Sequence, residues 1–329
     1  MKKDLMIMAR NIAERTASSG DQFVARTRAQ CLKLCKAGSG GGLITLLTVI
    51  GKYLIFWLRI PALLGGALIA TNYAASFLLI YALSFKLVTK QPAIAGAAFA
   101  RVLESIEPST KSHPDDSQRV HKALRYLSAI IRSIAITAAT NLALVFASVI
   151  VFHFGYRILH HGQSFLDLET SHHMIESLHP FRSLTIPCAV VTGILLWLSS
   201  QIGGWFEHRA LSRGSAVSGR AYGIASSISL GVLFSVIPVL GSTLGIALDV
   251  RHMTLSAGAF LLAVCSSGIH EAWHAGLPAA ALGLLVITVL NLGVSFFLGL
   301  MTAVHARGLD RSVIRSLFRD FEIEHPKAE

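Results

Sequence analysis

The 329-residue chain carries 29 Lys and Arg against 18 Asp and Glu, a formal charge of +11, yet only 14% of its residues are charged and 53% are apolar. A soluble domain carries about 25% charged residues, so this composition excludes an ordinary soluble enzyme, a disordered chain and a fibrous protein, and it describes an integral membrane protein. Four Cys are too few for a disulfide scaffold of this length.

Residues 1–42 read as a cytoplasmic amphipathic segment. No apolar core follows Lys2 and Lys3, so the segment is not a signal peptide. Its helix is expected to end at Gly38-Ser-Gly-Gly-Gly42, a flexible break before the first span. These glycines are not a phosphate loop, because Gly51-Lys52 downstream has neither the required Ser/Thr nor the earlier Gly. Cys31 and Cys35 lie one turn apart and are expected to be reduced on that side. Two Cys alone do not complete a zinc site.

Six apolar runs follow, each near the length that crosses about 30 Å of hydrocarbon. They are residues 43–58, 61–85, 129–152, 184–206, 221–248 and 277–304. The first two are nearly contiguous. Together they would make a helix of roughly 65 Å, so the chain must turn at Arg59-Ile60-Pro61. Pro61 suits the first turn of a new helix, and Pro238 predicts a kink in the fifth run. Residues 253–268 are too short to span and are expected to dip in from outside without crossing.

Charge sets the orientation. Basic residues favour the cytoplasmic side. With six spans, 24 of the 29 Lys and Arg fall on one side, and Arg59, Arg157, Arg182 and Arg251 fall on the other. The prediction is an all-α, polytopic transmembrane bundle with both termini in the cytoplasm. Its six-span domain covers 43–306, with a cytoplasmic insert at 86–128, an outer loop at 153–183 and an outer or re-entrant segment at 249–276. A basic tail occupies 307–329. The basic face suits anionic lipid headgroups.

Several polar groups lie inside the runs. Lys52 is a costly mid-span ammonium that should face a partner or a wet cavity. Asn72, Asn141 and Asn291 are explained by interhelical hydrogen bonds, or by a polar path. Gly241-Ser-Thr-Leu-Gly245 is a close-packing G-x-x-x-G, compatible with a homo-oligomer. His270-Glu-Ala-Trp-His274 fits H-E-x-x-H, in which two His at i and i+4 bind zinc and Glu271 polarises the bound water. Gly268 and Gly276 bracket only a short segment around it, and no third ligand follows. An interfacial loop with Trp273 in the aromatic belt is the simpler reading, so no catalytic residue and no cofactor are assigned. Nine of the 14 His fall on the outside: His153, His160, His161, His172, His173, His179, His252, His270 and His274. They suit a solvated loop, or a metal-binding or pH-sensing face.

Asn72-Tyr-Ala-Ala-Ser-Phe77 followed by Thr89-Lys-Gln-Pro92 resembles the site-specific recombinase family, the gonococcal recombinase-like membrane proteins of proteobacteria. Ala37-Gly-Ser-Gly-Gly-Gly42, Gly204-Trp-Phe-Glu-His-Arg-Ala210 and Leu248-Asp-Val-Arg-His252 with Leu255-Ser-Ala257 extend the resemblance over nearly the whole chain. It marks Asn72, Tyr73, Thr89, Lys90, Gln91, Pro92, Arg209, Asp249, Arg251 and His252 as motif positions. Family members are about twice as long, so the resemblance covers their C-terminal membrane half. It implies a bacterial inner-membrane protein, with the missing N-terminal half or another cytoplasmic protein as a partner. The family's name implies DNA recombination, but a recombinase needs a Tyr or Ser nucleophile among several phosphate-binding Arg. The hydrophilic stretches 1–42 and 86–128 are too short to build that domain. Nucleic acid is therefore not an expected partner, and the chain reads as a non-catalytic membrane or anchoring module. A zinc-dependent hydrolase and a transporter with a wet cavity near Lys52 and Asn72 are the alternatives.

Overall fold

The computed structural model describes residues 2–21, 23–105, 116–215, 218–246 and 248–309. In chain order the helices are α1 (Lys2–Asp21), α2 (Arg28–Trp57), α3 (Ala62–Ala82), α4 (Gln91–Glu104), α5 (Asp116–Leu159), α6 (Leu168–Glu176), α7 (Thr185–Ser212), α8 (Ser218–Leu244), α9 (Met253–Ser267), α10 (Ile269–His274) and α11 (Leu277–Arg307), with one 3-10 turn at Val88–Lys90. No strand occurs among the described residues. Six helices, α2, α3, α5, α7, α8 and α11, are long and apolar enough to cross a membrane. They carry exposed Leu63, Val151, Leu285 and Phe297 on their outer faces. Such a rim is stable against lipid and would be a liability in water.

Local chemistry sets the helix ends. Thr27 and Gln30 form a reciprocal capping box at the start of α2. Arg59 takes a positive φ of 47° and Pro61 caps α3, which makes the turn between the first two spans. Gly308, at φ 70°, ends α11. Pro238 lies inside α8.

The sequence expectation of a break at Gly38–Gly42 is corrected: α2 runs unbroken through these residues. Their lack of side chains serves tertiary contact instead. A Cβ on Gly38 would stand 2.5 Å from the Thr140 hydroxyl, and one on Gly42 would stand 2.5 Å from the Asn141 carbonyl. The α2–α5 crossing therefore brings backbones together, as small residues permit within membranes. The G-x-x-x-G at Gly241 lies at a helix end. α8 ends at Leu244, Gly245 turns the chain at φ 66°, and the Ile246 amide donates back to the Gly241 carbonyl at 2.9 Å.

The three intramembrane asparagines all bind backbone on another segment. Asn72 Nδ2 donates to the Thr48 carbonyl at 2.9 Å, and Asn291 Nδ2 to the Ala189 carbonyl at 3.1 Å. Asn141 gives Nδ2 to the Gly38 and Lys86 carbonyls and accepts from the Val88 amide. It thereby satisfies non-helical backbone that could not be left bare in the bundle.

At 44 residues α5 is about 66 Å long, twice a hydrocarbon core. Its first half extends past the spans into a second layer with α1, α4 and the end of α11, which has its own core of Ala17, Ala98, Leu103, Ala123 and Val304. Within the expected cytoplasmic insert at 86–128, α4 is almost wholly buried, its Ala-rich sequence letting it lie against α11. α7 continues beyond the end of the fourth apolar run to Ser212. The expected basic tail lies outside the described residues beyond Leu309.

Residues 245, 246 and 248–252 follow α8 without helical structure and lead to the buried His252 and Met253, a segment re-entrant with respect to the bundle. The chain then returns as α9. Its first residue, Met253, is fully buried, and its amide donates to Asn291 Oδ1, near the middle of α11. α9 ends at Gly268, where α10 begins.

Candidate functional site

The re-entrant segment has no helix to satisfy its backbone. Side chains supply the partners. The Val250 amide donates to its neighbour Asp249, the Arg251 amide to Thr192 Oγ1 on α7, and the Met253 amide to Asn291 on α11. Non-helical backbone at this depth is tolerated where it is buried in protein or lines a cavity, and here both conditions are met.

The cavity measures about 860 Å³. It lies between the last turns of α2, the helix α6 and the re-entrant segment, with one face of α9 behind. Lys52, Asp249 and Arg251 stand together in it. Lys52 Nζ is 3.4 Å from one oxygen of Asp249, and Arg251 Nη1 is 3.9 Å from the other. Arg251 Nη2 is fixed by the Ser177 carbonyl at 2.9 Å, while its Nε has no hydrogen-bond partner. The Asp249 side chain remains 36% exposed, so the cavity opens at the α6 end. Tyr53 and Tyr73 line the walls, Phe56 and Trp57 the mouth, and Glu176 and Arg182 the rim beneath α6.

A second cavity of about 250 Å³ lies on the α1 side of the bundle. Lys86, Lys90, Glu207 and Tyr222 line it, with Ser200, Ser226 and Ser227. Lys90 Nζ donates to Ser227 Oγ at 2.9 Å and lies 5.5 Å from the Phe77 ring. One Glu207 oxygen is buried without a hydrogen-bond partner.

Between the cavities stands a cluster of rings. Tyr73 and Phe77, one turn apart on α3, have centroids 6.2 Å apart, and Phe234 of α8 packs edge-on to both. His252 closes the cluster, 5.3 Å from Phe234 and 6.3 Å from Phe77. Its Nε2 bonds Thr89 Oγ1 at 2.7 Å. The assignment of His252 to an outer loop is corrected: it is fully buried at the base of the re-entrant segment.

The motif positions named from sequence are thus brought together, with one exception. Tyr73, Asp249 and Arg251 line the large cavity, Lys90 lines the small one, and Thr89 and His252 join across the wall. Gln91 is fully buried beside Lys90, with neither amide atom hydrogen-bonded, and Pro92 sits in the first turn of α4. Asn72 is structural, binding Thr48. Arg209 stands apart, its guanidinium 5.3 Å from the Trp205 ring. Sequence reasoning missed Tyr53, Tyr222 and Phe234, and it left Phe77 and Glu207 inside the family-like motifs without a place in a site. The position of Tyr53 beside Lys52 was the signal for that residue.

His270, Glu271 and His274 occupy α10, a helix of six residues. The two His rings lie 4.7 Å apart, and Glu271 faces His270 with one oxygen and His172 with the other, each at 3.5 Å. Among the described residues no group of three or more His, Cys, Asp or Glu converges as a metal would require. Of the other histidines, His160 stacks on Tyr156, His179 accepts the Phe181 and Arg182 amides, and His173 lines the large cavity.

No curated protein and no solved structure matches the chain. A family model described as site-specific recombinase matches residues 1–218 and 209–324. With its motif residues gathered around two intramembrane cavities, the chain belongs to the site-specific recombinase family.

Proposed function

We propose that this protein is a non-catalytic module of a bacterial inner membrane, with the α6 end facing outward, and that its large cavity binds a small organic anion. The observation that carries this reading is the charge arrangement on the cavity wall. Two cations, Lys52 and Arg251, share one carboxylate at 3.4 and 3.9 Å, and Arg251 Nε has no hydrogen-bond partner. Charge-assisted bonds to a carboxylate are normally about 2.7–2.9 Å, so Asp249 leaves both cations able to take a second anion. The cavity volume falls in the usual range for small-molecule sites, roughly 300–1,000 Å³. Its aromatic mouth suits an organic rather than a purely inorganic anion.

Recombination finds less support in the arrangement of side chains. Tyr126 does stand among arginines, with Arg26 5.4 Å from its ring. Its hydroxyl, however, donates to Asp21 at 2.5 Å, and Arg101 is paired with Asp21 and Glu14. That is a compensated ion network, not a clamp for a phosphate. A cytoplasmic protein partner would meet the outer surface of this same layer.

The test is thermal unfolding of detergent-purified protein with acetate, benzenesulfonate and inorganic phosphate at constant ionic strength. Ligand at ~100 times its Kd adds about 2.7 kcal/mol, so the midpoint should rise and saturate with benzenesulfonate. The triple variant Lys52→Gln, Asp249→Asn, Arg251→Gln removes the three clustered charges together and should fold without responding. The reading fails if none of the three anions moves the parent, or if the triple variant responds equally.

A further inference from the structure

We propose that the two cavities are the ends of one path through the bundle, closed by the ring cluster of Phe77 and Phe234, and that the anion bound at Lys52 and Arg251 is moved along it. This rests on the anion-binding reading above and extends it from binding to transport. Three observations carry it.

The first is thickness. Tyr73 lines the large cavity, and Phe77, one turn further along α3, lines the small one. Their ring centroids are 6.2 Å apart. A single layer of rings therefore separates the two spaces. The second is chemistry. Like the large cavity, where Lys52, Arg182 and Arg251 occur with Glu176 and Asp249, the small one is lined by cationic and carboxylate side chains, Lys86, Lys90 and Glu207. An anion leaving one space meets the same kind of ligands in the next.

The third is the wall itself. It is built of ring contacts, which can part without separating charges, and no described ion pair crosses it. Pro238 lies one turn beyond Phe234 and has no amide hydrogen to give to the Phe234 carbonyl. α8 is therefore weakest next to the ring that closes the path. A Cβ on Gly231 would stand 2.5 Å from the Ala74 amide nitrogen, so a bend in α8 is passed directly to α3.

The experiment uses the full chain with Cys31→Ser, Cys35→Ser, Cys188→Ala and Cys265→Ala, in membrane vesicles of both orientations. Single cysteines are then placed as Tyr53→Cys in the large cavity and Ser227→Cys in the small one. The probe is a membrane-impermeant, sulfonate-bearing thiosulfonate reagent added from one side. Tyr53→Cys should react from the α6 side at the same rate with or without Phe77→Ala. Ser227→Cys should react from that side at least tenfold faster once Phe77→Ala is added, with Phe77→Leu intermediate and serving as the folding control. If Tyr53→Cys reacts but Ser227→Cys is unaffected by either Phe77 variant, the path is refuted and the anion-binding cavity stands. If Tyr53→Cys does not react from either side, the cavity is closed to solute and both readings fall.

Discussion

Two charged clusters sit at opposite ends of this bundle, and they are built on opposite rules. At the α1 end, Arg10, Arg101 and Arg307 face Glu14, Asp21 and Glu104 in direct ion pairs. Among the described residues, the cations and carboxylates of these pairs are equal in number. Arg307, only 1% exposed, holds Glu14 with one terminal nitrogen and Glu104 with the other, leaving only Nε without a partner. At the α6 end two cations share one carboxylate at longer range. The first cluster is saturated and lies between α1, α4 and α11. The second is unsaturated and lines a cavity. A buried charge must be compensated by something. Where the chain supplies all of the compensation, the cluster fastens helices. Where it supplies part, a ligand can supply the rest.

The sharpest way to break this comparison is Arg307→Ala. It strips one cation from between two carboxylates, and breaking a buried pair from one side costs about 3–5 kcal/mol. α1 should detach from α4 and α11, with a large drop in the unfolding midpoint. Trypsin should then cut rapidly at Arg26 and Arg28, between α1 and α2. An unchanged midpoint and digestion pattern would mean that the saturated cluster holds nothing, and the contrast with the cavity would lose its meaning.

The features legible from sequence are those set by local chemistry. Hydropathy over about 20 residues located all six spanning helices, since lipid leaves a helix few alternatives. Pro61 marked the turn into α3, and the short run after His252 marked a helix of only 15 residues, α9. The misreadings all involve residues whose meaning is tertiary. Gly38 and Gly42 look like a break until Thr140 and Asn141 of α5 are placed against them. His252 looks like a loop residue until residues 248–252 are seen to carry it to Thr89. Lys52 announced its cavity by the cost of burying an ammonium, but its partner Asp249 lies 197 residues away. No spacing rule connects the two. The resemblance flagged Asp249 but not Lys52.

A smaller effect sharpens the comparison from the cavity side. In Asp249→Asn the internal carboxylate no longer competes for Lys52 and Arg251. Benzenesulfonate should bind about tenfold more tightly, equivalent to about 1.4 kcal/mol, as read by titration calorimetry. A structural ion pair predicts the reverse: loss of Asp249 would lower the midpoint and leave affinity no better. Unchanged or weaker binding would therefore assign Lys52, Asp249 and Arg251 to the same class as the α1 cluster.

The smallest effect lies in pH. Burial alone would raise the pKa of Glu14, but Arg307 and Arg101 more than offset it and hold the carboxyl below its ordinary value. A carboxylate depressed in the folded state adds stability above its unfolded pKa of about 4.5 and loses it as pH falls through the folded value. α1 should therefore keep its protection down to about pH 5 and lose it as pH falls further, through the depressed folded value of Glu14. The change should be modest and weaker in high salt, because Glu14 is 46% exposed and solvent screens it. Amide exchange in α1, corrected for intrinsic rate, measures this directly. Glu14→Gln should flatten the response, since its amide does not titrate in this range. The same loss of protection in Glu14→Gln would locate the titrating group elsewhere and remove Glu14 from the fastening role that the ion pairs assign to it.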